Sequence, residues 1–182
     1  MTTGRLAAGM VLSILVTQDP APRLDTAAPP LEASAGEGAW TRYRYADTDF
    51  TFEYPAEWQP RKGGGSNAAH LSHPELRAHV VAAAFRMSEG SLEEFARLKL
   101  GAQSEVFDPS GPFRKVEGPG WNGLIQETDD ARPDRGENTR RVVLFANHGD
   151  LYVSLSLYVD PQEFVPRQKY YERLFTSVRF ER

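Results

Sequence analysis

The sequence predicts an α+β domain, an antiparallel β-sheet flanked by helices, on three observations. Residues alternate in LYVSLSLYV (151–159), with Val153, Leu155, Leu157 and Val159 on one side and Tyr152, Ser154, Ser156 and Tyr158 on the other, which is the period of a strand with two distinct faces. Glycine-bearing turns at Gly118-Pro119-Gly120 and His148-Gly149-Asp150 join such runs at short range, as hairpins require. Two further segments repeat their apolar residues at helical spacing.

Taken in order, WTRYRYA and FTFEY alternate as half-buried strands around an Asp47-Thr48-Asp49 turn. Phe50, Phe52 and Tyr54 form one face of the second strand. Pro55 has no N–H with which to continue a ladder and holds Tyr54 extended, so the strand ends there. Trp58 follows at the strand end, placed to cover the core edge. RKGGGSN (61–67) reads as a flexible loop, and AHLSH and LRAHVVAAAFR as strands interrupted by Pro74. Ser91-Leu92-Glu93-Glu94 fits a capping box, which opens a helix expected over 91–105. GPFRKVEG and WNGLIQET are short strands, DDARPDRGEN a solvated connection, and TRRVVLFAN pairs with 151–159. PQEFVPRQKYYERLFTSV is an amphipathic helix whose regular part should start near Pro166, since proline fits only a first turn or a kink. Residues 177–180 close as a strand.

At 182 residues and 40% hydrophobic content, the chain suffices for one domain with one sizeable core. The net charge of −4 lacks the basic footprint of a nucleic-acid binder, so no nucleic-acid partner is expected. With no cysteine, disulfides, thiolate metal sites and cysteine nucleophiles are excluded.

Residues 1–18 read as a signal peptide or short N-terminal hydrophobic segment. Arg5 precedes an apolar run from Leu6 to Val16, shorter than the roughly 20 residues of a membrane-spanning helix. No Ala-x-Ala site directly follows Val16, although Thr26-Ala27-Ala28 and Ala33-Ser34-Ala35 offer small residues; an uncleaved leader would act as a tether rather than a stable membrane span. Residues 19–38, rich in Pro, Ala, Gly and acidic side chains, form a disordered linker, and residues 39–182 the folded α+β domain. The expected address is extracytoplasmic, either periplasmic or secreted.

FTFEYPAEWQ, EGPGWNGLIQET, RRVVLFANHGDLYVSLSL and YYERLFTSVRF resemble the PsbP-like family, which includes the photosystem II extrinsic subunit PsbP, bacterial DcrB-like proteins and a small Ran-binding import factor. The resemblance spans Trp40 to Arg182 and implies a PsbP-like sandwich in a protein acting as a non-enzymatic accessory or assembly factor. The matching positions mark the scaffold, so no binding residue is carried over. The leader, apolar and short, does not resemble a plastid transit peptide.

The sharpest chemical constellation is HLSHPELRAH. His70 and His73 are candidate zinc or copper ligands, with Glu75 as a third donor; on an extended strand, however, residues three apart point to opposite faces. Asp129, Asp130, Asp134 and Glu137 offer oxygen ligands but lack the order that wraps calcium, and Arg132 and Arg135 compete for them. GGGS (63–66) lacks the Lys-Ser/Thr of a phosphate loop. His148 beside a hairpin glycine reads as a turn residue. No catalytic motif occurs, so neither an enzyme nor a cofactor is expected. Tyr43, Tyr45, Trp58, Trp121, Tyr152 and Tyr158 would serve either as a binding groove or as filler beneath the helices. Three functional readings follow: an accessory domain binding a protein partner, a small-molecule or metal-binding carrier using the sheet–helix cleft, and a hydrolase with an unrecognised site.

Overall fold

The computed structural model describes residues 38–60, 68–102, 111–132 and 137–181. The expected leader, nearly all of the linker and the 61–67 loop lie outside the described residues.

The elements are β1 (Trp40–Arg44), β2 (Phe50–Pro55), β3 (Gln59–Pro60), β4 (Ala69–Ser72), β5 (Ala78–Arg86), α1 (Leu92–Gly101), β6 (Arg114–Gly118), β7 (Trp121–Arg132), β8 (Glu137–His148), β9 (Leu151–Val159), α2 (Pro161–Phe164), a 3-10 turn (Val165–Arg167), α3 (Gln168–Thr176) and β10 (Arg179–Phe180). They form two antiparallel sheets where the sequence suggested one: a seven-stranded sheet in the order β3-β4-β5-β9-β8-β7-β6, and a three-stranded sheet in the order β1-β2-β10. The small sheet arises because β10 returns to pair with β2, Phe180 opposite Phe50. No local pattern announces such a distant pairing.

Side chains alternate across the large sheet as the period of two demands. On one face, Val80, Ile125, Val142, Leu144, Val153, Leu155 and Leu157 pack with Phe50 and Phe52 of the small sheet and with Phe164, Tyr171, Leu174 and Phe175 of α2 and α3. On the other, Leu124, Val143, Phe145 and Tyr152 take Phe95, Ala96 and Leu100 of α1. Trp58 is buried in the first cluster, as its position after Pro55 suggested.

The capping box forms: Ser91 Oγ accepts from the Glu94 N–H at 3.2 Å, and Glu94 Oε2 accepts from the Ser91 N–H at 2.7 Å. Three elements differ from the sequence reading. α1 ends at Gly101, although residues from 103 lie outside those described. The helical segment after β9 begins at Pro161, not near Pro166: Asp160 accepts from the Gln162 N–H at 2.9 Å and proline occupies the first turn, where its missing N–H costs nothing; Pro166 then sits in the 3-10 turn. β7 also runs on to Arg132, through residues expected to be a loop. Asp129 faces Arg140 across the ladder, an opposite-charge pair that supports strand there; Arg140 reaches Glu127 Oε2 at 2.8 Å and Asp129 Oδ1 at 3.5 Å.

Two adjacent tyrosines of α3 leave a signature at high pH. Burial pushes the Tyr171 phenol up to about 12. It raises Tyr170 as well, whose hydroxyl also donates to Glu57 Oε1 at 2.7 Å. A phenol that holds its proton more tightly folded than unfolded contributes stability that is whole below the ordinary value of 10.0 and is lost as pH rises through the folded value. Unfolding midpoints in urea are therefore expected to fall as pH passes from about 10 towards 12; in a Tyr171→Phe variant the fall should be shallower, and an unchanged slope would refute the assignment.

Candidate functional site

A half-open cleft of about 440 Å³ lies between α2–α3 and the β6–β7–β8 end of the large sheet. Its floor is apolar: Val116, Trp121, Ile125, Val142 and Leu144 from the strands, Phe164 and Phe175 from the helices. Polar side chains surround the mouth. Arg114 approaches Glu127 at 3.8 Å, Gln168 Nε2 donates to Glu172 Oε1 at 2.8 Å, and Arg179 donates to the Thr176 and Val178 carbonyls at the C-terminus of α3. Arg140 lies over the Phe164 ring, 4.6 Å from its centroid, and anchors α2 to the sheet. Val165, which follows the lining Phe164 in the 3-10 turn, is 70% exposed.

Trp121 sets the shape of the floor. Its Nε1–H donates to the Val178 carbonyl at 3.2 Å, tying the start of β7 to the chain's last turn. The ring rests where Gly118 and Gly123 have no side chain. A Cβ on Gly118 would fall within the indole itself, and one on Gly123 would lie 2.8 Å from Trp121 Cζ3 and 3.0 Å from Leu144 Cδ1. The β6–β7 turn is in turn fastened to the β8–β9 turn, because His148 Nδ1–H donates to the Gly120 carbonyl at 2.7 Å and its ring stacks on Phe180. The lone histidine beside the hairpin glycine is thus a bracket between turns.

The structure does not bring the candidate metal ligands into one donor set. His70 lies in β4 opposite Val81, on the α1 side of the sheet, while Leu71 faces the other core. His73 lies past the strand end, and its Nδ1 accepts from the Glu75 and Leu76 N–H groups at 3.0 and 2.9 Å. That leaves Nε2 as the nitrogen of His73 not engaged by the turn. Among the described residues no group of three or more His, Asp or Glu side chains converges on a point. Asp134 lies outside the described residues.

Of the six aromatic residues considered for a groove, Trp58, Trp121 and Tyr152 are buried, and Tyr43 and Tyr45 pack against the main core. Tyr158 is half-buried, stacked on His79 at 4.5 Å and lying under the Arg141 guanidinium. Burial lowers Arg141 from 12.5 to about 10, so it stays cationic at neutral pH. Trp121 is the one of the six that lines the cleft. The other cleft residues carry no shared local pattern because they come from six elements; the spacing Gly118-Pro-Gly-Trp121-Asn-Gly123, with glycines on both sides of a large ring, is the signal the sequence offers.

An antiparallel sheet carrying α1 on one face and a helix-and-small-sheet layer with an open cleft on the other defines a PsbP-like α+β fold. Solved structures that share it include these two. The solution structure of cyanobacterial PsbP (CyanoP) from Synechocystis sp. PCC 6803 aligns with 81% of this chain and 95% of its own, at a TM-score of 0.59 and 11% identity. A Bacteroides thetaiotaomicron protein aligns with 80% of this chain at a TM-score of 0.55 and 14% identity, and the match spans 49% of that protein's length. No protein-family model and no curated protein sequence matches the chain. At such identities the likeness is one of fold.

Proposed function

We propose that the protein is a non-enzymatic accessory or assembly domain that works outside the cytoplasm and docks a protein partner in the cleft between α3 and the β6–β7 end of the sheet. The observation that carries this reading is the cleft, with an apolar aromatic floor open to solvent. Surface of that kind favours a partner with a protruding apolar side chain, around which a polar rim supplies orientation. The absence of a catalytic motif in the sequence and the accessory role implied by the PsbP-like resemblance lend further support. Among the described residues, no helix is long and apolar enough to cross a membrane. The extracytoplasmic address rests on the leader-like residues 1–18, and a fused reporter active only outside the cytoplasm is expected to be active; an inactive, normally expressed fusion would remove that part of the proposal.

A photo-crosslinking residue placed at Gln168 or Glu172, both exposed and lining the cleft, is expected to trap one and the same protein in the source cell, whereas one at Leu98, 64% exposed on α1, traps none. Equal labelling from Leu98, or none from the cleft, would defeat the docking reading. The cleft volume, about 440 Å³, also falls among small-molecule pockets of roughly 300–1,000 Å³, which favours a carrier as the second reading. Native mass spectrometry separates the two: a carrier retains a bound mass that a cleft-filling Thr176→Trp change expels.

A further inference from the structure

The two sheets have four edge strands, and they differ in what they can pair with. β3 is two residues long and contains Pro60, which cannot donate to a ladder. β10 also has only two residues. β1 (Trp40–Arg44) is five residues long, but laid antiparallel against its own copy it brings arginine to arginine: centred on Arg42 it pairs Arg42 with itself, and centred on Tyr43 it pairs Arg42 with Arg44. β1 is thereby protected from self-association. β6 reads the opposite way. Its sequence is Arg114-Lys115-Val116-Glu117-Gly118, with Lys115 and Glu117 exposed and Val116 half-buried between them. Placed antiparallel against an identical strand with the two-fold axis through Val116, Lys115 faces Glu117 and Glu117 faces Lys115. Val116 meets Val116, and Arg114 stands over Gly118, which has no side chain to obstruct it. Among the described residues β6 pairs with β7 alone, and no ion pair within the chain engages Lys115 or Glu117.

We infer that β6 is a homodimerisation edge, which joins two copies of this chain through an antiparallel β6–β6 seam centred on Val116. The occupant is a second copy because the charge order is self-complementary, and two opposite-charge cross-strand pairs form for each seam. A two-fold axis normal to the sheet keeps both clefts on one face, side by side across the Val116 pair, since Val116 and Trp121 line each of them. A seam five residues long is small beside stable interfaces of about 1,200–2,000 Å², so the dimer is weak and concentration-dependent. It does not rest on the docking reading, although β6 contributes Val116 and Glu117 to both the seam and the cleft.

Sedimentation velocity of the full chain from about 1 µM to about 1 mM reads this directly. The wild type is expected to shift from monomer to dimer. Lys115→Glu and Glu117→Lys each set like charges face to face twice and should weaken dimerisation about tenfold or more. An equimolar mixture of the two single variants restores both opposite-charge pairs and should recover wild-type association as a heterodimer; the double variant Lys115→Glu/Glu117→Lys should do the same on its own. Both positions are exposed, and circular dichroism checks that the variants fold. A wild type that stays monomeric at the highest concentration, variants that dimerise as the wild type does, or single variants that fail to rescue each other would each overturn the inference.

Discussion

Gly118→Ala is expected to destabilise the domain by about 1–3 kcal/mol or more, as overpacking does in well-filled cores. Gly118 does not occupy the left-handed region that glycine alone favours, whereas Gly120, two residues on, does at φ +77°. Its methyl therefore costs nothing in backbone conformation, and the whole penalty comes from Trp121, whose indole occupies the space where the Cβ would be. The ring has little freedom to retreat: Nε1 is held by the Val178 carbonyl, and the far edge rests on Gly123 between Val116 and Leu144. Urea denaturation of four proteins decides the matter: wild type, Gly118→Ala, Trp121→Leu and the double variant. If the indole is the cause, the alanine adds almost nothing once Trp121 is leucine, and the two changes are strongly non-additive. An equal penalty in both backgrounds would place the cost elsewhere. The same displacement would distort the cleft floor, so Gly118→Ala should also weaken whatever docks there, in proportion to the shift of Trp121.

That contact shows where the sequence stops being legible. Alternation in 151–159 identifies a strand with two faces, and the apolar face of Val153, Leu155, Leu157 and Val159 is buried as read; that Tyr152 on the other face is buried too, against α1, depends on a helix elsewhere in the chain. The capping box at Ser91 and the positive φ of Gly149 follow from local chemistry alone. Legibility fails where a residue's state depends on a distant neighbour. Asp129 looks like loop until Arg140 faces it across the ladder, and 177–180 reads as a closing strand whose partner, β2 through Phe50, nothing local names. Asp160-Pro161 was a readable helix start that the later Pro166 obscured. The cleft belongs to the unreadable class: Phe164 and Phe175 were recognisable as the apolar stripe of a helix, but their alignment with Trp121 and Ile125 is fixed only when α3 docks.

Phe52→Ala is expected to cost about 3–5 kcal/mol, the usual loss on truncating a buried phenylalanine. Against a total stability of about 5–15 kcal/mol, this brings the domain close to unfolding at ambient temperature. Phe52 is fully buried and sits in β2, the strand that both β1 and β10 pair with. Its ring lies 5.3 Å from Tyr43 and 5.8 Å from Phe50, so the cavity opens at the seam between the two sheets, where collapse would need one sheet to move onto the other. Phe52→Leu, which keeps most of the volume, should cost far less. The neighbouring residue supplies the control. Thr51 is 1% exposed on the opposite face of the same strand, and its hydroxyl finds no hydrogen-bond partner among the described residues. Replacing it with valine removes a buried oxygen without changing shape, which is neutral or stabilising when that oxygen was unsatisfied. Thermal or urea melts of Phe52→Ala, Phe52→Leu and Thr51→Val should therefore rank in that order from least to most stable. If Thr51→Val proves as damaging as Phe52→Ala, β2 is sensitive to any change as a strand, and the special weight given to the Phe52 face is wrong.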